Sequence, residues 1–366
     1  MLILNNEKID SRSGPAKSIN LLKSKLFKKK KYIYCFFGKE GLNYDVTIYN
    51  KNYKKNLFSI IDLFFKNKVI YINGIFSFVF CVIPLIISFF LRKKIIISPR
   101  GQIAPETLIK KKYIKLAYFY FLYFIQKYSS SKIFWLVTSL REKNYLQYFI
   151  NFSELNITII DNLNDLVIKK IKPIKKKKNS LRIFYFSNLT KKKNILETIN
   201  IIKNCNNKNI KLDIYGKIID HSYFKKVKKE IKGFSNISYK SYVSKNNDRE
   251  KIFLNYNLLM HNSLGENYGH ILVEAMAHGI PFVSNDTHPW VNVDNDFDGF
   301  VSPLNLIFQQ SEMIKYLSKI DNNRYQIYRK KFFNFYKKEI FTKEKLRIKN
   351  YLDFFDKVNK YKFAKK

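Results

Sequence analysis

Ser263-Leu264-Gly265-Glu266-Asn267-Tyr268-Gly269-His270-Ile271-Leu272-Val273-Glu274-Ala275-Met276-Ala277-His278-Gly279-Ile280-Pro281-Phe282-Val283-Ser284 reads as a loop, a helix, a stop and a strand. Polar residues and a glycine come first. From Tyr268 to His278 good helix formers run almost without interruption, and Gly279 followed by Pro281 ends the run. Phe282 and Val283 then open a short apolar segment suited to a buried strand.

The chemistry is expected at the start of this helix. The first N–H groups of a helix have no carbonyl partner within it, and the aligned peptide dipoles add partial positive charge, so an anion is favoured near Gly269, His270 and Ile271. Gly269 leaves room for a ligand to approach the backbone. Glu266 and Glu274 bracket this end, with seven residues between them. An ionised carboxylate only accepts hydrogen bonds, so it suits a ligand rich in hydroxyl donors, such as ribose or hexose. Phosphate at the amides and hydroxyls at the glutamates together describe a nucleotide sugar. The plainer alternative makes Glu266 a helix cap and Glu274 a solvated or ion-paired group.

Glu266 and Glu274, set in Gly265-Glu266-Asn267-Tyr268-Gly269-His270 and followed by Ala275-Met276-Ala277-His278-Gly279-Ile280-Pro281, resemble the paired-glutamate motif of the group 1, or family 4, glycosyltransferases. Ser284-Asn285-Asp286-Thr287-His288-Pro289-Trp290 is similar to the Ser-Asp-x-Thr-Pro-Trp that follows it in many bacterial members. The resemblance implies an α/β protein of the GT-B fold, with two Rossmann-like domains whose parallel sheets face each other across a cleft. It further implies metal-independent transfer of a hexose or related sugar, with retention at the anomeric carbon, from a nucleotide diphosphate donor. The nucleotide sugar is a substrate, and no cofactor is expected. By the same resemblance Glu266 and Lys193 are the catalytic candidates, with Glu274 on the ribose and Asn267, Tyr268, Gly269, His270 and Ile271 around the donor.

Other segments carry weaker signals. Leu2 to Leu4 leads to Ser11-Arg12-Ser13-Gly14-Pro15-Ala16-Lys17-Ser18 and a helical run, a strand–glycine turn–helix geometry that can cradle phosphate. It resembles the Gly-Gly-Pro-x-Arg-Ser loop of the family, with Ser13 for the first Gly and Lys17 for the Arg, so Gly14 and Lys17 join the candidates. Lys28 to Lys31 reads as a charged, solvated approach to a strand ending at Phe37. Val69 to Leu91 is the most apolar stretch. Asn73, Gly74 and Pro84 interrupt it, and its uncharged part is at the lower limit of the roughly 17 to 25 residues of a membrane span. A buried strand, a turn and a buried helix are expected there instead.

Ile95 to Ile97 forms the next strand. Arg100 follows it in Ser98-Pro99-Arg100-Gly101-Gln102, at the carboxyl edge where parallel sheets meet ligands. The loop looks like the Ser-Pro-Arg-Gly-Met of a bacterial branch, whereas many members have a His here. As a bare loop Arg it would be solvated. In Lys110 to Tyr128 aromatics nearly surround a basic helix, which favours packing, with contact to an anionic bilayer as the alternative.

After the second domain's first strand comes Ser187-Asn188-Leu189-Thr190-Lys191-Lys192-Lys193-Asn194. The family pattern is Arg, four residues, Lys, both touching the diphosphate. Lys193 fits the second position, but Asn188 stands in place of the Arg. Ser241 occupies a usual Gly position, and His261 and Asn262 places where Pro is common. Asp294, Asp296 and Asp298 mimic a metal motif but follow Pro289-Trp290 in a loop, so no metal is assigned.

The domains read as 1–165 on the acceptor side, a basic linker 166–180 too charged to pack, 181–335 for the nucleotide sugar, and a helix at 336–366 crossing back. The net charge of +40, from 68 Lys plus Arg against 28 Asp plus Glu, raises nucleic acid, anionic membrane or phosphorylated substrate as partners. No interleaved aromatic and basic nucleic-acid motif accompanies it, so a nucleic-acid-binding protein is the weakest reading. Cys35, Cys81 and Cys205 have no metal or disulfide spacing and fit a reducing cytoplasm, at the inner face of its membrane if the acceptor is lipid-linked. The leading expectation is a transferase acting on a surface-glycan precursor such as lipopolysaccharide or capsule. Its alternative is a catalytically impaired sugar-nucleotide or glycan-binding relic, motivated by Asn188, Ser241 and Asn262.

Overall fold

The computed structural model describes residues 1–5, 14–26, 33–36, 64–108, 112–129, 133–150, 156–168, 170–243, 246–295 and 298–361. Ser11 to Ser13, the basic run Lys28 to Lys31, Phe37 and Asp296 lie outside them. The chain divides into two units, Met1–Asp165 with Glu344–Lys366, and Leu166–Lys343.

The first unit is built on six parallel strands: β1 (Leu2–Asn5), β2 (Ile33–Phe36), β3 (Val69–Asn73), β4 (Lys94–Ser98), β5 (Ile133–Val137) and β6 (Asn156–Ile159), in the order β2-β1-β3-β4-β5-β6. β3 and β5 are buried along their whole length, so both faces of the sheet must be covered. Alternation along the strands sorts the side chains into two cores. Leu2, Leu4, Ile70, Ile72, Ile95 and Ile97 point into one, and Ile3, Val69, Tyr71 and Ile96 into the other. The second core is closed by α1 (Gly14–Leu26) and by Tyr351, Phe354 and Phe355 of the C-terminal helix Glu344–Lys360.

The apolar stretch from Val69 folds as strand, turn and helix. Gly74 takes a left-handed φ of 94°, and a turn at Phe78–Val82 runs into α2 (Ile83–Phe90). Among the described residues no helix is long and apolar enough to cross a membrane. The basic aromatic helix, α3 (Lys112–Ser129), departs from the expected packing. Phe119, Leu122 and Ile125 are buried, but Tyr113, Tyr120, Phe124 and Tyr128 are exposed along the opposite face. One side of that helix suffices to fill the core, so the remaining aromatics have nothing to pack on. α4 (Leu140–Ile150) begins as the Ser139 and Glu142 spacing suggests, with Ser139 Oγ accepting from the Glu142 N–H at 3.1 Å.

The second unit holds β7 (Leu181–Phe186), β8 (Ile210–Tyr215), β9 (Ile237–Ser241), β10 (Leu258–His261), β11 (Phe282–Asn285) and β12 (Val301–Ser302), all parallel, in the order β12-β11-β10-β7-β8-β9. The chain winds outward from β7 to β9, then returns to lay β10 against the other side of β7. The order therefore reverses between β7 and β10, and in sheets of this kind ligands meet the carboxyl edge at such a reversal. The helices α5 (Ile195–Asn204), α6 (His221–Ile231), α7 (Asn246–Asn255), α8 (His270–Ala277), α9 (Ile307–Lys319) and α10 (Asn322–Phe335) cover the sheet.

The segment read as a solvated linker packs into this unit. Ile174 is in its core, and Lys176 is buried with its ammonium donating to the Ser318 and Ile320 carbonyls at 2.9 and 2.8 Å. Those carbonyls end α9, where a cation is favoured, and burial lowers the Lys176 pKa to about 8. Arg329 does the same for α8. It is fully buried, and its guanidinium donates to the carbonyls of Gly279 (2.9 Å), His278 (3.0 Å) and Lys172 (2.8 Å).

Candidate active site

The reversal between β7 and β10 brings two sequence-distant loops together. The loop after β7 makes a tight turn at Lys191–Lys193, and the loop after β10 carries Glu266. Their backbones are tied: the Lys192 carbonyl accepts from the Leu264 N–H at 2.8 Å and from Ser263 Oγ at 3.2 Å. Tyr185 of β7 donates its hydroxyl to the Lys193 carbonyl at 3.1 Å. From the other side, the Glu266 N–H donates to the Thr287 carbonyl at 2.9 Å, while Asn285 Nδ2 and Thr287 Oγ1 hold the Ser263 carbonyl at 3.0 and 2.6 Å. Glu266 and Lys193 thus meet on a rigid base.

Their side chains form an ion pair, with 14% of the Glu266 side chain and 22% of that of Lys193 exposed. Burial alone would raise the Glu266 pKa, but Lys193 and His261 outweigh it and hold the carboxyl well below its usual range. It is ionised at neutral pH. His261, the last residue of β10, places Nε2 3.7 Å from the same carboxylate oxygen.

Gly269 caps α8 with φ 71°, and a Cβ there would lie 2.9 Å from Leu272 Cδ1. Only glycine turns the chain into the helix at this point without strain. Ile271 to Ala277 are all buried. Tyr268 packs edge-on against Trp290, whose indole N–H donates to the Tyr268 carbonyl, and His270 lies beside the same tyrosine ring. Asn267 is half-buried between Glu266 and Tyr268.

Glu274 is 7% exposed and paired with Arg249 of α7, which also stacks over Phe186 with its guanidinium carbon 4.8 Å from the ring centre. Arg249 has no sequence signature, lying in the polar run Asn246 to Lys251. Asn188, in place of the expected arginine, is exposed on the β7 loop. Ser241, where glycine was expected, keeps a glycine-like backbone at φ 83°, a conformation costing a side chain about 1 kcal/mol or more. Asp294 and Asp298 are engaged by the Val301 N–H and Lys331, and among the described residues no cluster of three metal-ligating side chains occurs.

In the first unit the candidates stand apart from one another chemically. Gly14 opens α1, and Lys17 is half-buried with Nζ 3.6 Å from Asp165. Arg100 is not solvated. It is 6% exposed with φ 53°, and its guanidinium donates to Asn73 (3.0 Å), Asn162 (2.7 Å) and the Tyr71 hydroxyl (2.7 Å). It fastens the carboxyl ends of β3 and β4 to the segment after β6. Glu142 completes this edge by accepting from Thr138 and from the Gly101 N–H.

His288 supplies a pH signature. Its Nδ1 accepts from the Trp290 N–H at 3.1 Å, so the neutral ring carries its proton on Nε2 and donates to Ser284 Oγ at 2.7 Å. Burial, then the neighbouring His261, lower its pKa from 6.5 to about 3. Between those values the unfolded chain binds a proton that the native state refuses, so stability is complete above pH 6.5 and drains as pH falls. His261 and His278 are shifted in the same direction. Urea unfolding from pH 7 to 5 should show stability falling, and His288→Asn should flatten the slope by about 1.4 kcal/mol per pH unit. An unchanged slope in the variant contradicts this.

With the geometry established, comparisons place it among known proteins. Residues 167–332 match the family model described as Glycosyl transferases group 1. No curated protein is significantly similar in sequence. Among solved structures, HepE of Anabaena in complex with UDP and glucose superposes with a TM-score of 0.74 at 14% identity, over 96% of this chain and 99% of that one. A glycosyltransferase from Rickettsia africae gives 0.65 at 14% identity, over 99% of each chain. WaaG, a glycosyltransferase involved in lipopolysaccharide biosynthesis, gives 0.62 at 10% identity, over 92% and 94%. Over residues 167–332 the chain is similar to the group 1 glycosyltransferases, and its fold is the GT-B fold of these neighbours.

Proposed function

We propose that the protein is a retaining, metal-independent glycosyltransferase that moves a hexose from a nucleoside diphosphate to a hydroxyl of a surface-glycan precursor. The observation that carries this reading is the meeting of Lys193 and Glu266 at the sheet's reversal point, beside the amino end of α8. Negative charge grows on the departing diphosphate as the bond to the anomeric carbon breaks. Lys193 and the helix amides offer fixed positive charge there, so stabilisation requires no reorganisation. Glu266 accepts a hydrogen bond from a sugar hydroxyl, and Glu274 from the ribose once Arg249 yields its place. The acceptor's proton leaves on the diphosphate itself, whose oxygen becomes more basic as the bond to the anomeric carbon breaks. Lys191 and Lys192 adjoin the position where Asn188 replaces arginine and supply charge to the same loop.

HepE binds UDP and glucose, which makes uridine diphosphate the first nucleotide to titrate here. Calorimetry with uridine, guanosine and adenosine diphosphates should show one binding to the wild type, with Glu274→Ala weakening it about tenfold or more. Equal binding by both proteins, or none by either, removes the site.

A peripheral membrane contact is part of the same proposal, since surface-glycan acceptors are commonly lipid-linked. Its support is the exposed face Tyr113, Tyr120, Phe124 and Tyr128 of α3, with Lys127 on the same helix and Phe78 and Phe90 exposed at the neighbouring α2. Aromatic and basic side chains together suit the headgroup region of an anionic bilayer. The protein should float with phosphatidylglycerol vesicles and not with phosphatidylcholine alone, and Tyr120→Ser with Phe124→Ser should release it. Retention of the double variant contradicts the contact.

A further inference from the structure

In the resting protein the two groups assigned to the donor are spent on each other: Lys193 holds the Glu266 carboxylate. A diphosphate that attracts the ammonium therefore removes the cation from a carboxylate that is almost wholly buried. A buried carboxylate left without a partner is strongly disfavoured, and the site needs a replacement.

His261 is placed to be that replacement. It is 2% exposed, and neither ring nitrogen has a hydrogen-bond partner among the described residues. A buried imidazole with both nitrogens open is uncommon, because each forfeits its interaction with water. Its Nε2 lies 3.7 Å from Glu266 Oε1, the oxygen that Lys193 occupies, so a shift of about 1 Å closes a hydrogen bond. The other ionisable groups facing this point are Lys193 on the turn after β7, Tyr185 on β7 and His288 after β11. Tyr185 is committed to the Lys193 carbonyl, and His288 to Ser284 and Trp290. His261 alone of these has an uncommitted N–H.

We infer that His261 is a positioning residue, which takes the Glu266 carboxylate through its Nε2–H when Lys193 turns to the donor diphosphate, keeping Glu266 aimed at the sugar. The inference rests on the proposed donor site. It adds a specific consequence: His261 matters for ligands that recruit Lys193 and not for those that stop at the ribose and the first phosphate. A nucleoside monophosphate leaves the Lys193–Glu266 pair closed, and a diphosphate opens it.

The test is calorimetry on the full chain with whichever of UDP, GDP and ADP binds most tightly, and with its monophosphate. His261→Leu should weaken the diphosphate about tenfold or more while leaving the monophosphate within about twofold, and His261→Gln, whose amide N–H falls near Nε2, should return the diphosphate to within about threefold of wild type. His261→Asn, whose amide sits near Nδ1 and cannot reach Glu266, should behave as leucine does. It carries the test if the leucine variant fails to fold. Equal weakening of both nucleotides, no weakening of either, or glutamine no better than leucine overturns the inference while leaving the donor site standing. Failure of the wild type to bind any nucleotide removes the donor site, and this inference with it.

Discussion

A short helix buried on every side has little freedom to turn or slide, and the second unit is arranged around one such helix. Seven consecutive residues, Ile271 to Ala277, are buried, so α8 is locked between the sheet and α10. Both of its ends are set by glycines in left-handed conformations. A side chain at Gly279 would lie 2.8 Å from Ile171 and 3.2 Å from the Arg329 carbonyl, and one at Gly269 would press on Leu272. Arg329 neutralises the carbonyl end with a buried guanidinium. With the carboxyl end satisfied internally, the positive amino end is the pole left to face the loops carrying Lys193 and Glu266.

Charge in this site is balanced before any ligand arrives. Each signature glutamate has a cation from its own unit, Lys193 for Glu266 and Arg249 for Glu274. Such pairs offset the cost of holding two carboxylates in a largely buried site, and the donor proposed above would compete for both. A carboxylate with one cation retains lone pairs for hydroxyls, so competition need not be complete at Glu274. In the proposed donor complex the diphosphate and the Glu266 carboxylate compete for the same ammonium, and this is the conflict that His261 is inferred to resolve.

The parts of this arrangement governed by local rules were legible in the sequence. Apolar runs such as Val69 to Ile72 and Ile95 to Ile97 announced fully buried parallel strands, and the Gly269 to Gly279 interval announced a helix with an anion-favouring end. The paired glutamates announced the resemblance to the family over residues 167–332. What depended on distant partners was hidden. Arg249 reaches Glu274 only because α7 carries the chain back from the edge strand β9 to β10, and nothing in Asn246 to Lys251 marks it. Arg100 looked like a solvated loop arginine because its partners Tyr71, Asn73 and Asn162 converge only through the sheet order. Arg329 left a fainter trace: it occupies a helical apolar face with Tyr325, Tyr328, Phe332 and Phe333, where a charge must have buried partners. The exposed aromatics of α3 misled in the opposite sense, because composition reports that aromatics are present but not how much core is available to take them.

The central claim is that a diphosphate sits at the amino end of α8 against the Lys193 loop. Hydrogen–deuterium exchange of the full chain with and without a bound nucleoside diphosphate tests it most directly, since amides that acquire phosphate partners exchange more slowly. The account predicts new protection confined to peptides spanning 188–195 and 264–274, with β8 unchanged. Saturating nucleotide that protects other segments and leaves 264–274 as before would contradict it.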